Sequence, residues 1–325
     1  MNKIPIIESL RAIAAISVCL FHFVCTTVGL FENNAVIDVF RFGRYGVHVF
    51  FVISGFIIPY SMFYGNYKIN SFLKFIAKRF IRIEPPYLAS VLLVIAVILL
   101  KHYFHFGADE YNELSIQRVV LHIGYLINFP SQYEWLNTVY WTLAIEFQFY
   151  LFVAITFFLF SSKQFASRII AYIACIALAF LPANAEHYPH YSTLFLLGII
   201  TFSLKTSIIK KVEYWIIFTL CVLSLYFYKD PLFALIGGVT SLTILYFPEI
   251  KIPVFDTLGK ISYSIYLVHP IIGGGFINIA TKHVDTTMQK IGIVLIGFII
   301  TIVSSYLMYY FVEKPSKKAS SSLKL

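Results

Sequence analysis

The sequence predicts an all-α protein, a polytopic transmembrane helical bundle of about ten spans with both termini in the cytoplasm. The first observation behind this fold class is composition, because 59% of the 325 residues are hydrophobic, only 13% are charged and the mean hydropathy is +0.80. The second is that apolar segments long enough to cross about 30 Å of hydrocarbon recur along the whole chain. The third is that basic residues concentrate at alternate ends of those segments.

Ten segments are predicted to span the bilayer. They lie at about 9–29, 45–63, 86–104, 138–160, 168–182, 190–204, 214–228, 232–247, 257–278 and 291–312. The run VVLHIGYLINF at 119–129 is too short to span the bilayer. We predict that it is interfacial or re-entrant within the longest loop.

Charge predicts the orientation of the bundle, because Lys and Arg concentrate in short cytoplasmic loops. With the N-terminus inside, 18 of the 25 basic residues fall in the inner segments. Both termini are then cytoplasmic. The same topology explains the net charge of +9, so no nucleic-acid partner is predicted.

The sequence predicts a single membrane-embedded domain over residues 1–325, with no soluble extracytoplasmic domain. The cysteines all lie inside predicted spans and lack the spacing of metal ligands. They are Cys19, Cys25, Cys175 and Cys221. We therefore predict no metal site and assign these thiols to helix packing.

The first span carries two ionisable residues among apolar ones. In LRAIAAISVCLFHF at 10–23, eleven steps of about 100° separate Arg11 from His22, so both side chains share one helix face, about 16 Å apart. An ionisable group in hydrocarbon is costly unless it faces a partner or a wet cavity. His22 is therefore predicted to be a functional residue.

Two further spans place ionisable residues at a similar depth. Glu146 lies in YWTLAIEFQFYL at 140–151, and His269 lies in TLGKISYSIYLVHP at 257–270. At helical rise, His22, Glu146 and His269 are all expected slightly outside the bilayer midplane, where they can pair. Each also has a structural interpretation, the histidines as hydrogen-bonding residues between helices and the glutamate as the partner of an arginine.

The layout of these residues indicates a chemistry. A basic cytoplasmic mouth formed by Arg11, Arg79 and Arg82 fits a phosphate-rich donor, because a guanidinium is a planar fork that matches phosphate oxygens. A deeper histidine oriented by a carboxylate can take a proton from an attacking hydroxyl. The same histidine and glutamate also suit a proton-coupled transporter or flippase of a saccharide or acidic solute. In a third interpretation, a non-enzymatic subunit uses them for helix packing and the arginines as positive-inside anchors.

The motifs together resemble the acyltransferase family 3 of integral membrane proteins, the O-acyltransferases that modify bacterial surface polysaccharides and related glycans and lipids. The resemblance covers about residues 5–315. In chain order it rests on ESLRAIA followed by His22, GRYGVHVFFVISGF at 43–56, RFIRIEPPY at 79–87, YWTLAIEFQFYL at 140–151, SYSIYLVHP at 262–270 and VEKP at 312–315. Six motifs in this order on ten predicted spans form a specific pattern.

The resemblance implies a multi-pass enzyme of the bacterial inner membrane that transfers an acyl group, most often acetyl, from cytoplasmic acyl-CoA to a hydroxyl of a cell-surface polysaccharide or lipid-linked saccharide. It implies acyl-CoA as a donor substrate and no permanently bound cofactor. By position, His22 and Glu146 are the catalytic residues, and Arg11, Arg79 and Arg82 bind the donor. The supporting motif residues are Glu8, His48, Ser54, Gly55, Phe56, Trp141, Ser262, Tyr263, Tyr266 and His269. Direct transfer and a covalent relay both remain open.

Two positions depart from the family pattern. His48 occupies a place where many members have Asp, so a role for an acidic group does not carry over. Glu84 stands where the arginine motif often has an aromatic residue, and a pair with Arg82 is the interaction expected there.

Overall fold

The computed structural model describes residues 3–32, 34–105, 110–130 and 132–323. The chain is 80% helical, and no strand occurs in these ranges, which confirms the predicted all-α class. The α-helices are α1 Pro5–Cys25, α2 Asn34–Arg41, α3 Gly46–Tyr64, α4 Phe72–Tyr103, α5 Ile116–Ile123, α6 Tyr140–Phe160, α7 Phe165–Leu178, α8 Tyr188–Lys205, α9 Lys211–Tyr228, α10 Pro231–Tyr246, α11 Pro253–Lys260, α12 Ser262–Val268, α13 Gly275–Ala280, α14 Thr287–Met308 and α15 Lys314–Ser322.

Short helical segments of other types join several of these helices. The 3-10 segments are Phe42–Tyr45, Ile69–Ser71, Glu110–Glu113 and Thr281–His283. The π-helical segment His269–Gly274 joins α12 to α13, and Tyr309–Glu313 joins α14 to α15.

Seven stretches of the described chain are long and apolar enough to cross a membrane. They are Pro5–Cys25, Ala35–Tyr64, Ile69–Tyr103, Tyr140–Phe160, Lys211–Tyr228, Ser262–His283 and Thr287–Ser322. Helices α7 and α10 are apolar but have only 14 and 16 residues, and α8 has 18 residues. These helices indicate an integral membrane protein, whereas ten spans with cytoplasmic termini stay a prediction.

Helix α4 extends well beyond the predicted third span. It begins at Phe72 instead of about residue 86, and it continues through Pro85 and Pro86. Proline removes a backbone donor and usually ends a helix. Here fully buried side chains on both sides, Phe75 and Tyr87, hold the helix across the prolines. The basic RFIRIEPPY segment is therefore part of a helix instead of a loop.

Helices α3 and α8 pack with their backbones in close contact. A Cβ atom added at Gly55 would lie 2.1 Å from the Phe195 carbonyl oxygen, and one at Gly198 would lie 2.2 Å from the Val52 carbonyl oxygen. Only glycine allows backbones to approach this closely. Gly55, the central residue of the Ser-Gly-Phe motif at 54–56, therefore has a packing role.

Helices α1 and α12 lie side by side and run in the same direction. Near their starts, the Arg11 Nε atom donates to Ser262 Oγ at 3.2 Å. Farther along, the ring of His22 in α1 lies 5.2 Å from that of His269, which directly follows α12. Because the two contacts occur in the same order along both helices, the helices are parallel.

Candidate functional site

A cavity of about 110 Å³ lies between α1, α3, α4, α6, α12 and α15. Four basic side chains and two acidic ones line it. These charged residues are Arg11, Arg79, Arg82, Lys317, Glu146 and Glu313. The wall also contains Ser54, Thr142, Tyr150, Tyr263 and Tyr266. All three arginines predicted to bind the donor therefore meet in one space.

Arg79 is the most buried of the cavity's arginines, with only 5% of its surface exposed. Its guanidinium carbon lies 5.2 Å from the centre of the Phe75 ring and 5.8 Å from that of the Tyr150 ring. The Nε atom has no hydrogen-bond partner. No carboxylate in the described part of the chain forms an ion pair with Arg79.

A buried guanidinium without a counter-ion is costly, because desolvation of the charge is not repaid. Arg79 and Arg82 are three residues apart on α4 and so lie on the same helix face. Both line the cavity. Their arrangement is that of a site which an anion would complete.

The Ser-Tyr motif of α12 links this helix to its neighbours through hydrogen bonds. Ser262 accepts from Arg11, and the Tyr263 hydroxyl donates to the Ile83 carbonyl oxygen of α4 at 2.9 Å. The Tyr266 hydroxyl lies 2.8 Å from Thr142 Oγ1 of α6. The predicted motif residues therefore build the cavity wall and orient Arg11.

Glu146 lies on the wall of the cavity that α6 forms. Its Oε1 atom accepts a hydrogen bond from Ser54 Oγ at 2.8 Å and another from the Tyr150 hydroxyl at 2.5 Å. Among the described ion pairs, none joins Glu146 to an arginine. Ser54 of the Ser-Gly-Phe motif thus has a direct polar role beside Gly55.

His22 and His269 form a pair of imidazoles. The Nδ1 atom of His269 lies 3.0 Å from the Ile265 carbonyl oxygen. A carbonyl only accepts, so Nδ1 carries the proton and Nε2 keeps its lone pair. This Nε2 atom is buried and has no partner, whereas the His22 side chain is half-buried.

The expected contact between His22 and Glu146 is not present in the described structure. Glu146 is one helical turn from Thr142, which meets Tyr266, so it lies roughly 6 Å from the level of that contact along α6. His22 is not among the residues that line the cavity. Tyr266 connects the cavity to the histidine pair, because it lines the cavity together with Glu146 and its ring lies 5.9 Å from that of His269.

Helix α1 begins earlier than the predicted first span, which started at about residue 9. Helix α1 starts at Pro5 and ends at Cys25, which places His22 three residues before its end. At 1.5 Å per residue, His22 is about 25 Å along a helix of about 31 Å.

The expected pair of Glu84 with Arg82 is wrong. Two residues apart on a helix, these side chains point to nearly opposite faces. Glu84 is almost fully buried, and its Oε2 atom accepts from the Tyr125 hydroxyl at 2.9 Å. Arg82 therefore stays available to the cavity.

The remaining motif residues lie away from the cavity. His48 is buried against Phe233, with ring centroids 4.0 Å apart, and Trp141 lies 6.0 Å from the Tyr191 ring of the same aromatic cluster. Phe56 is fully buried. Glu8 is half-buried, and its Oε2 atom has no hydrogen-bond partner.

Sequence reasoning missed Lys317 and Glu313 as cavity residues. Glu313 is in the VEKP motif, and Lys317 follows it by four residues, a spacing that pairs side chains on a helix. This spacing is the feature of the sequence that predicts the pair. In the ranges that the structure describes, no three His, Cys, Asp or Glu residues form a metal-binding group.

Comparison with known proteins identifies the family of this chain. The acyltransferase family 3, described as an acyltransferase domain, matches residues 4–310. A protein of Acidianus two-tailed virus named "Putative acetyltransferase" is 26% identical over 293 residues, which are 82% of this chain and 83% of the viral protein.

A Staphylococcus aureus (strain COL) protein named "Putative O-acetyltransferase" is 25% identical over an alignment of 367 residues. This alignment covers 98% of the chain but 58% of the staphylococcal protein, so the chain spans just over half the length of that relative. No solved structure matches significantly. Because the family match extends over nearly the whole chain, the protein belongs to the acyltransferase family 3.

Proposed function

We propose that the protein is a membrane O-acyltransferase that takes an acyl group, most often acetyl, from acyl-CoA and transfers it to a hydroxyl. The observation that carries this proposal is Arg79, a buried guanidinium without an ionic partner in a cavity that it shares with Arg11 and Arg82. The diphosphate and 3′-phosphate of CoA supply the anions that such a site lacks. Family membership supports the acyl-transfer chemistry.

The donor enters from the cytoplasm in this proposal. The positive-inside rule places the N-terminal end of α4, with its basic residues, at the cytoplasmic face. Acyl-CoA phosphates bind Arg79, Arg82 and Arg11, and the thioester extends past the wall formed by Thr142 and Tyr266 toward His22. The acceptor is a hydroxyl of a cell-surface polysaccharide or lipid-linked saccharide at the bacterial inner membrane.

His22 acts as the general base in the proposed reaction. It removes the proton from the attacking hydroxyl, whose oxygen forms a bond to the thioester carbonyl carbon. The carbon–sulfur bond then breaks, and the CoA thiolate takes the proton from the imidazolium. The attacking hydroxyl belongs either to the acceptor or to a relay residue that carries the acyl group onward.

The neighbour of His22 in this reaction is His269 instead of Glu146. Because His269 Nδ1 is bound to the Ile265 carbonyl, its Nε2 lone pair is free to accept a hydrogen bond. A second imidazole 5.2 Å away stabilises the proton that His22 acquires. Glu146 instead accepts hydrogen bonds on the cavity wall, where it orients Ser54 and Tyr150.

A transfer assay tests the proposal. Purified protein in liposomes receives radiolabelled acetyl-CoA and a crude cell-envelope glycan fraction, and both CoA release and label transfer are followed. Folded His22→Ala is expected to lose both activities. His283→Ala, which changes an exposed histidine, is the matched control and retains them. Transfer by folded His22→Ala at the wild-type rate would exclude the assigned role.

A further inference from the structure

Helix α15 closes one side of the cavity and is fixed there by hydrogen bonds. Ser320 Oγ donates to the Lys78 carbonyl oxygen of α4 at 2.8 Å, and Lys78 Nζ donates to the Leu323 carbonyl oxygen at 2.9 Å. Lys317 Nζ donates to the Lys260 carbonyl oxygen at the end of α11 at 3.1 Å. Contacts to two other helices thus hold α15 beside the basic end of α4.

Lys317 reaches the cavity from α15. Its side chain is 29% exposed, and Nζ lies 2.6 Å from Oε1 of Glu313, whose side chain is 1% exposed. Glu313 Oε2 accepts from Ser264 Oγ at 2.6 Å. The carboxylate therefore accepts a hydrogen bond at Oε2 and forms an ion pair with Lys317 at Oε1.

Lys317 still has one hydrogen to donate. An ammonium has three donors; the Lys260 carbonyl accepts one of them, and the ion pair with Glu313 occupies at most a second. The third is available toward the cavity that Lys317 lines. An anion can bind there while the pair with Glu313 stays intact.

The net charge of the cavity favours the binding of this anion. Its wall carries four cations, three arginines and Lys317, against the two carboxylates of Glu146 and Glu313. In the described structure, only Lys317 among the four cations forms an ion pair with a carboxylate. The net positive charge matches a compact ligand that carries several negative charges.

We propose that Lys317 is a fourth phosphate-binding residue of this cavity and that α15 is part of the donor site. The inference rests on the proposed function for the identity of the donor as acyl-CoA. The ligand chemistry that Lys317 recognises is a phosphate or diphosphate group. A lysine suits this position because it binds phosphate as a point charge beside the guanidinium forks.

Binding measurements on the full chain in detergent test this proposal. The probes are CoA, inorganic pyrophosphate and pantetheine, which lacks phosphate. Lys317→Gln is expected to weaken CoA and pyrophosphate binding about ten-fold or more, since it removes one charge-assisted hydrogen bond, and to leave pantetheine binding unchanged. Lys317→Arg retains CoA affinity, and the matched control Lys318→Gln, on the exposed side of α15, is neutral.

The variant Glu313→Gln distinguishes phosphate binding by Lys317 from a purely structural role of the Lys317–Glu313 ion pair. The amide still accepts from Ser264 but releases Lys317, so the affinity for CoA is expected to stay the same or rise. If Lys317 only anchors Glu313, both variants lower thermal stability and neither changes the ratio of CoA to pantetheine affinity. That result would overturn the inference.

Two outcomes distinguish this inference from the proposed function. Binding of CoA with equal affinity by wild type and Lys317→Gln refutes the role of Lys317 and leaves the acyl-CoA assignment standing. Pyrophosphate binding that depends on Lys317, in a protein that does not bind CoA, supports the phosphate site and refutes acyl-CoA as the donor.

Discussion

Replacing Arg79 by glutamine is expected to stabilise the unliganded protein while weakening donor binding. The side chain is 5% exposed and forms no ion pair in the described chain, so the contacts to the Phe75 and Tyr150 rings offset only part of the desolvation of its charge. Removing such a charge is expected to raise stability by about 1 kcal/mol or more. The bound donor loses a buried charged contact, worth about 2–5 kcal/mol, which weakens CoA binding by at least about 30-fold.

Arg168→Gln is the matched control for this experiment. Arg168 is also 5% exposed, but it binds Glu213 with two hydrogen bonds, of 2.8 Å and 2.6 Å. Breaking that pair leaves Glu213, whose side chain is 12% exposed, with only the Tyr172 hydroxyl at 3.4 Å, so stability is expected to fall by about 3 kcal/mol. CoA affinity is unchanged because neither residue lines the cavity.

Thermal unfolding in detergent, with and without CoA, measures both effects. We expect Arg79→Gln to raise the Tm without ligand and to lose the CoA-induced increase, and Arg168→Gln to lower the Tm but retain that increase. If Arg79→Gln lowers the Tm as Arg168→Gln does and binds CoA as tightly as wild type, the cavity is not an unfilled anion site.

Three further predictions follow from particular contacts. Gly55→Ala places a methyl group 2.1 Å from the Phe195 carbonyl oxygen, so we expect a loss of about 3 kcal/mol or more, measured as a fall in Tm. Burial lowers the pKa of His122 to about 4, from 6.5. Between these two values His122 is protonated in the unfolded state but neutral in the folded one, so the free energy of unfolding rises with pH. Hydrogen exchange of residues 116–136 at pH 5 and pH 7 measures this rise. Tyr150→Phe removes one of the two hydrogen bonds to Glu146 and is expected to lower acetyl transfer several-fold without lowering CoA affinity more than two-fold, measured by paired kinetics and binding.

The sequence predicted the helical class and the shared helix face of Arg79 and Arg82 because both depend on local patterns. Long apolar runs predict membrane helices, because a helix satisfies its backbone hydrogen bonds internally where hydrocarbon offers no partners. Arg79 and Arg82 share a face by helical spacing alone. The predicted third span began only at about residue 86, whereas α4 begins at Phe72 and stays continuous across both prolines through the packing of Phe75 and Tyr87.

Contacts between distant helices were not predictable from spacing. The pairing of His22 with His269 depends on how α1 and α12 align, and this alignment is fixed by Arg11 and Ser262, 251 residues apart in sequence. The exact helix ends were not predictable either, since α1 begins at Pro5 instead of at about residue 9. Lys317 was missed because its position in the cavity comes from the docking of α15 on α4 and α11.

The most direct test of the account is the kinetics of CoA release from acetyl-CoA, in the presence of glycan acceptor, for wild type, Arg79→Gln and His22→Ala. The account predicts that Arg79→Gln raises KM for acetyl-CoA at least about 30-fold with a kcat near that of wild type, since it removes binding to the phosphates. Folded His22→Ala is predicted to lower kcat at least about 100-fold with an unchanged KM. Wild-type kinetics in both folded variants, or no turnover of any acyl-CoA by wild type, would contradict it.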